Sequence, residues 1–264
     1  MTKKAGSIKR ILNCVPSPQM ENDWTYENAS EAGVLAAPVP LPATVDLREP
    51  WWNIGDQEST GSCVGWATAD SVLRWHFVKA NRLDPDVLLS VRFIWMAAKE
   101  TDEFISQPTT FIERVGTSLK AALDIARKFG VVSDSVLPFG SSKLYPDDIK
   151  TFYAMAAQLK ILSYFNLGRN LMRWREWLAL QGPILTRLDV DDTWFNAKNT
   201  FGNLDVYEAP REPAGHAVAL VGYTQDRFIV RNSWGEKDWG DAGFGYASFA
   251  YAQAAFTEAY GITV

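Results

Sequence analysis

The hydrophobic pattern of this 264-residue chain changes period once, at Gly182-Pro183. Before that point, apolar residues recur every three or four positions, as helices require; after it come short β-like runs. Trp66, Ala69, Leu73 and Phe77 predict a helix over 63–79, with Cys63 in its first turn. Further helices are predicted over 89–100, 118–129 (closed by Gly130 as a C-terminal cap), 147–159 and 171–180. Strands are expected at 184–188, 216–223, 228–231 and 245–249. A helical half followed by a β half predicts an α+β fold in two lobes, about 55–165 and about 166–264. The first forty-odd residues lack sustained periodicity and close on Ala36-Ala37-Pro38-Val39-Pro40-Leu41-Pro42. Residues 1–43 are therefore expected to form an extended arm or short pro-segment ahead of a body over 44–264.

Charge and cysteine usage narrow the setting. A formal net charge of −5 argues against nucleic acid or an anionic membrane as the main partner. No apolar run is long enough to span a bilayer. The basic start, Met1 to Arg10, is broken by charges before an apolar stretch of signal-peptide length develops. Two thiols, Cys14 and Cys63, cannot build a disulfide framework. A reducing cytoplasm is the default expectation, with export lacking such a signal left open. Cys14, in the arm, reads as a plain buried or surface thiol.

The chemistry-bearing residues are few. Cys63 follows a tight loop, Thr60-Gly61-Ser62, at a predicted helix N-terminus, whose unpaired N–H groups favour a thiolate. A thiol also needs a base, and the chain has two histidines. His76 lies thirteen residues beyond Cys63 on the same predicted helix, roughly 20 Å along its axis, which leaves His216. The segments flanking Thr224-Gln225-Asp226 suggest a hairpin. If Tyr223 faces Arg227, then Val218 faces Asn232, and His216 lies two residues along on the same face. Asn232 then aims the imidazole toward Cys63, and a slip of one residue would undo this. Gln57, six residues before Cys63, supplies a side-chain N–H which, with the Cys63 amide, would hold an oxyanion. Taken singly, Cys63 and His216 would read as core residues, Asn232 as a turn residue and Gln57 as a surface amide. Their ordered presence favours a reactive site.

These segments, in this order, resemble the papain-like cysteine peptidases. The resemblance runs from about Leu41 onward, through Asp46-Leu47-Arg48, the Gln57-to-Cys63 spacing, Gly116-Thr117-Ser118-Leu119, Phe129-Gly130-Val131, Pro138-Phe139, Gly182-Pro183-Ile184, Gly215-His216-Ala217-Val218 and Asn232-Ser233-Trp234-Gly235. It implies a papain-like two-lobed fold, a helical lobe facing a β-barrel-like lobe across the active-site cleft. It further implies that Trp234 shields the His216–Asn232 bond, and that Gly116 and Thr117 line the non-primed side of the cleft. There their backbone would pair with an extended peptide, although they also read as a helix start capped by Ser118. Leu119 and Ala217 are expected to help line the specificity pocket. The chain departs from the family at Val64, where tryptophan is usual, at Glu58, where glycine is usual, and at Thr60, where cysteine is usual.

The expected activity is peptide-bond hydrolysis of a peptide or protein substrate through a thioester on Cys63, requiring no metal or organic cofactor. The arm is expected to restrain it, as in a zymogen. Two alternatives stay open: an acyl transferase or transpeptidase using the same triad, and an inactive binding protein on the same scaffold.

Overall fold

The computed structural model describes residues 9–35, 40–101, 116–141 and 148–264. Residues 36–39 of the proline-rich stretch, residues 1–8 of the basic start, and Asp147, where a helix was expected to begin, lie outside the described residues. Most helices precede the sheet strands, seven of whose eight members lie beyond residue 162, an α+β arrangement. The sheet runs in the order β2-β8-β3-β5-β6-β7-β4, where β2 is Ser163–Asn166, β3 Ile184–Asp189, β4 Asn203–Leu204, β5 Gly215–Tyr223, β6 Arg227–Arg231, β7 Phe244–Ser248 and β8 Phe256–Thr263; β1, Val45–Asp46, pairs with β5. All pairings are antiparallel except β4 with β7.

β5 shows why the sheet can carry a site. All nine of its residues are buried, so it reads as a continuous apolar run without alternation. Its two faces still separate. Ala217, Ala219 and Val221 enter a core shared with the helices, while Val218 and Leu220 enter a second core rich in aromatics, including Trp174, Trp194, Trp234 and Trp239. The register with β6 differs from the sequence expectation at the turn, where Tyr223 pairs with Phe228 rather than Arg227. A bulge between Leu220 and Gly222 then shifts the ladder by one, so that Ala219 pairs with Arg231. The two offsets cancel. Continuing the ladder by one residue sets Val218 against Asn232, the alignment expected from the sequence.

The helix that starts at Cys63 runs over 63–79 as predicted, but not as a regular amphipathic helix. It opens with an α-helical turn, Cys63–Gly65, widens to a π-helix at Trp66–Leu73, and returns to α at Arg74–Lys79. The Arg74 N–H accordingly donates to the Ala69 carbonyl, five residues back. Every residue from Cys63 to Phe77 except Trp66 is buried, including the polar Thr68, Asp70, Ser71, Arg74 and His76. A helix buried all round must satisfy those groups internally. Arg231, the last residue of β6, does much of this. Its Nη2 lies 2.8 Å from the Asp70 carboxylate and donates to the Asn53 carbonyl, while its Nη1 donates to Ser71 at 2.6 Å.

The other helices lie close to their predicted places, at Val91–Thr101, Leu119–Lys128, Ile149–Ala156 and Leu171–Leu180. Ser118 caps the second by accepting the Ala121 N–H at 3.2 Å, and Gly130 closes it at φ +92. The arm is not wholly extended: Tyr26–Glu31 is a short helix whose Ala29 packs in the aromatic core. No helix of the described residues is long and apolar enough to cross a membrane.

Truncating Asp70 to alanine leaves Arg231, 1 % exposed, without its carboxylate. Stranding a buried charge in this way typically costs about 3–5 kcal/mol. Asp70→Ala should therefore shift the denaturant midpoint well to lower concentration; an unchanged midpoint would contradict the role given to this pair.

Candidate active site

The first turn of the buried helix meets the start of β5, and four predicted residues converge there. Cys63, His216 and Gln57 are fully buried and Asn232 is 1 % exposed. His216 Nε2 lies 2.8 Å from Asn232 Oδ1. That oxygen also accepts the Ser233 backbone N–H at 2.8 Å, which fixes the orientation of the carboxamide. A carboxamide oxygen accepts only, so Nε2 must carry the ring proton and Nδ1 presents a lone pair. Nδ1 is buried without a hydrogen-bond partner among the described residues, as is Asn232 Nδ2. An unpaired Nδ1 lone pair in the site leaves the ring able to accept a proton.

Aromatic rings enclose the His216–Asn232 bond. Trp234 packs at 5.1 Å from the imidazole centroid and Trp194 at 5.6 Å, edge-on. Water is kept from the bond on those sides. Gln57 is held as firmly. Its Oε1 accepts the Ser233 hydroxyl at 3.0 Å and the Trp234 indole N–H at 3.2 Å. With the oxygen committed, Nε2 faces the Thr60 carbonyl at 3.1 Å and the Ile11 carbonyl at 3.4 Å. The loop that carries Gln57 is tied to the segment after Asn232 by Gln57 N–H to Ser233 O, 2.8 Å, and Gly235 N–H to Gly55 O, 3.0 Å.

The Ile11 contact introduces residues that sequence reasoning did not single out. Residues 10–17 lie along the groove over Cys63. Cys14 N–H donates to Gly215 O at 3.0 Å, and Val15 N–H to Thr117 O at 3.3 Å. Arg187 Nε, from β3, donates to Cys14 O at 3.0 Å. Two glycines make room for this backbone. A Cβ on Gly116 would sit 1.9 Å from the Asn13 carbonyl oxygen, and one on Gly215 would sit 2.0 Å from that of Cys14. Farther along, Ser17 N–H donates to the buried Glu258 at 3.0 Å, and Asp23 pairs with Lys120 and accepts from the Tyr260 hydroxyl at 2.7 Å. Arm residues carry no periodicity because their hydrogen bonds go to the body, so pattern alone gave no signal for them.

Of the residues expected to bind substrate, Gly116 and Thr117 touch the arm backbone, and Trp234 holds the Arg10 guanidinium 5.6 Å above its ring. Leu119 and Ala217 are buried in the core that also contains Cys63 and Cys14. Glu58, which stands where the resembling family has glycine, adopts a left-handed φ of 53 and leaves its side chain exposed. Its carboxylate therefore does not enter the loop around Gln57.

Burial dominates the protonation of the pair. It pushes the Cys63 thiol up from 9.0 to about 11, although the backbone N–H of Ala217 and those of Val64 and Cys63 point at the sulfur, and the Arg187 charge also favours thiolate. Burial likewise lowers His216 from 6.5 to about 4; the Asn232 bond opposes this shift and the Arg10 charge adds to it. In the covered state both groups are neutral at pH 7. His76, packed against Gly182 and lowered to about 4 by burial, is a neutral core residue on the same helix.

A histidine depressed from 6.5 to about 4 stabilises the fold fully above pH 6.5, and that contribution is lost as pH falls through 4. For a fully buried ring the amount is roughly 3 kcal/mol. Thermal unfolding should therefore occur at lower temperature at pH 4 than at pH 7, and His216→Gln should shrink the difference. An undiminished difference in that variant would contradict neutral burial of the ring.

Comparisons with known proteins bear on the family and the fold. The sequence matches the family described as papain family cysteine protease over residues 41–259. Xylellain, a cysteine protease from Xylella fastidiosa, superposes with a TM-score of 0.76 at 20% identity, covering 100% of this chain and 99% of its own. Digestive procathepsin L 3 of Tenebrio molitor larval midgut superposes at 0.65 and 16% identity, covering 96% of this chain and 76% of its own. The ragweed pollen allergen Amb a 11, a cysteine protease in its proform, gives 0.64 and 19%, covering 88% and 68%. No curated sequence matches the chain. The match over residues 41–259 and the shared papain-like fold place this chain in the papain family of cysteine proteases.

Proposed function

We propose that the chain hydrolyses peptide bonds with Cys63 as nucleophile, His216 as base and acid, Asn232 as the group that orients His216, and Gln57 with the Cys63 amide as oxyanion donors. The observation that carries this reading is the 2.8 Å His216–Asn232 bond, which leaves Nδ1 as a bare lone pair in the site where the Cys63 sulfur sits beside the Ala217 N–H. When a peptide replaces the arm, Nδ1 takes the thiol proton and the thiolate attacks the scissile carbonyl, while Gln57 Nε2 and the Cys63 N–H hold the oxyanion. The imidazolium passes its proton to the leaving amine. Neutral once more, it activates the water that cleaves the thioester.

The arm restrains this activity in our reading. Its Ile11 carbonyl engages Gln57 Nε2, the donor assigned to the oxyanion, and its backbone takes the Gly215 and Thr117 carbonyls. With the acyl part of a substrate along Gly116 and Thr117, a cleavable peptide runs from there toward Trp234. The arm runs the other way, from Arg10 beside Trp234 to Val15 beside Thr117. A reversed chain fills the groove without presenting a bond in the geometry for attack.

In the chain lacking residues 1–40, an epoxysuccinyl-peptide probe should label Cys63 and fail to label Cys63→Ala, and that variant should lose fluorogenic peptide turnover by roughly 10,000-fold or more. Deleting residues 1–40 from protein that keeps its near-ultraviolet dichroism should raise turnover, and mass analysis should show free acid rather than amine-transfer product. Labelling that survives Cys63→Ala, or turnover unaffected by the deletion, would contradict the nucleophile or the restraint respectively.

A further inference from the structure

Beside Gln57 the body holds a built site for a cation, and the arm fills it. The Arg10 side chain is only 7% exposed. Its guanidinium pairs with the Asp56 carboxylate through Nη1, and Nη2 reaches the second oxygen at 3.4 Å. Nη1 also donates to Glu58 O at 3.1 Å, and Nη2 to Trp234 O at 3.0 Å. Asp238 lies 3.8 Å away, and the Trp234 ring stacks beneath at 5.6 Å. Two carboxylates, two main-chain carbonyls and an indole face form a set that matches a guanidinium donor by donor. The body shapes this set by itself. Asp56 accepts the Glu58 N–H at 2.7 Å, closing the turn in which Glu58 takes its left-handed φ of 53, and Asp56 bridges to Trp234 across the loop.

The position of the site matters as much as its chemistry. Arg10 immediately precedes Ile11, whose carbonyl meets the Gln57 amide, so the site lies within one residue of the assigned oxyanion position. It lies toward Trp234, whereas Val15 meets Thr117 at the opposite end of the arm's path. Once the arm leaves, Asp56 and the two carbonyls face the groove without the cation that balances them.

We propose that this site is a substrate subsite for a basic side chain, arginine ahead of lysine, on the first residue after the scissile bond. The proposal rests on the reading of Cys63 as a peptide-hydrolysing nucleophile. Arg10 thereby acts as an internal occupant of a specificity pocket, and the enzyme's substrates are peptides carrying a basic residue on the leaving-group side. Arginine exceeds lysine because only a planar fork reaches the Asp56 carboxylate and both carbonyls together.

The test uses the chain lacking residues 1–40, with its near-ultraviolet dichroism retained, which vacates the site, and two internally quenched peptides differing only by Arg or Ala after the scissile bond. The Arg peptide should be cleaved with kcat/KM at least about 10-fold higher, mainly through KM, as expected for a charged hydrogen-bond set. Adding Asp56→Asn should bring that ratio below about 2. Cleavage of both peptides at equal kcat/KM would overturn the subsite and leave the peptidase reading standing. Cleavage of neither, with no probe labelling of Cys63, would overturn the peptidase reading. The subsite is then decided by binding of the two peptides to the Cys63→Ala form of that shortened chain, where a preference for Arg of about 10-fold supports it and equal affinity overturns it.

Discussion

A buried ion pair, Arg231 with Asp70, joins the strand that ends one residue before Asn232 to the helix that begins at Cys63. Nothing in local propensity demands that these elements meet. A helix buried on all sides and carrying Asp70, Ser71 and Arg74 needs partners for them. The end of β6 provides one guanidinium for Asp70 and Ser71, while Arg74 turns to Asp70 and to the Trp51 and Pro85 carbonyls. With that helix fixed against the sheet, the start of β5 falls beside the thiol. The Gln57 loop then closes over it by bonding to Ser233 and Trp234.

Cys63 and His216 are both buried and both neutral, since burial outweighs the N–H groups, the Arg187 charge and the Asn232 bond that favour their charged forms. Arg10 adds its own charge to the forces that keep His216 neutral. In the reading proposed above, covering the groove and suppressing the thiolate–imidazolium pair are one physical event. On that reading, uncovering would restore water and a polar substrate, and with them the charged pair.

Much of this was legible in the sequence. The helix at Leu171–Leu180 follows from periodicity, the strands β5 and β6 from their short apolar runs, and the triad candidates from a short supply of cysteine and histidine. The hairpin register is a more instructive case. The turn is offset by one residue from the simple expectation, and the bulge at Val221 restores the alignment at Asn232. Alternation cannot report a bulge in a strand buried on both faces. β8 escaped notice because Thr257, Glu258 and Gly261 break its apolar run, and Glu258 is buried to receive the arm at Ser17. The π-helical widening at Trp66–Leu73 and the path of residues 10–17 depend on partners remote in sequence, which no local pattern encodes.

Titration of the Cys63 thiol, followed by alkylation at increasing pH with mass spectrometry to locate the modified residue, bears most directly on the claim that the arm keeps the pair neutral. In the full chain, alkylation of Cys63 should rise only toward pH 11. After removal of the arm, the rise should move to or below the ordinary thiol range, about 8.5. The same high value with and without the arm would contradict the account.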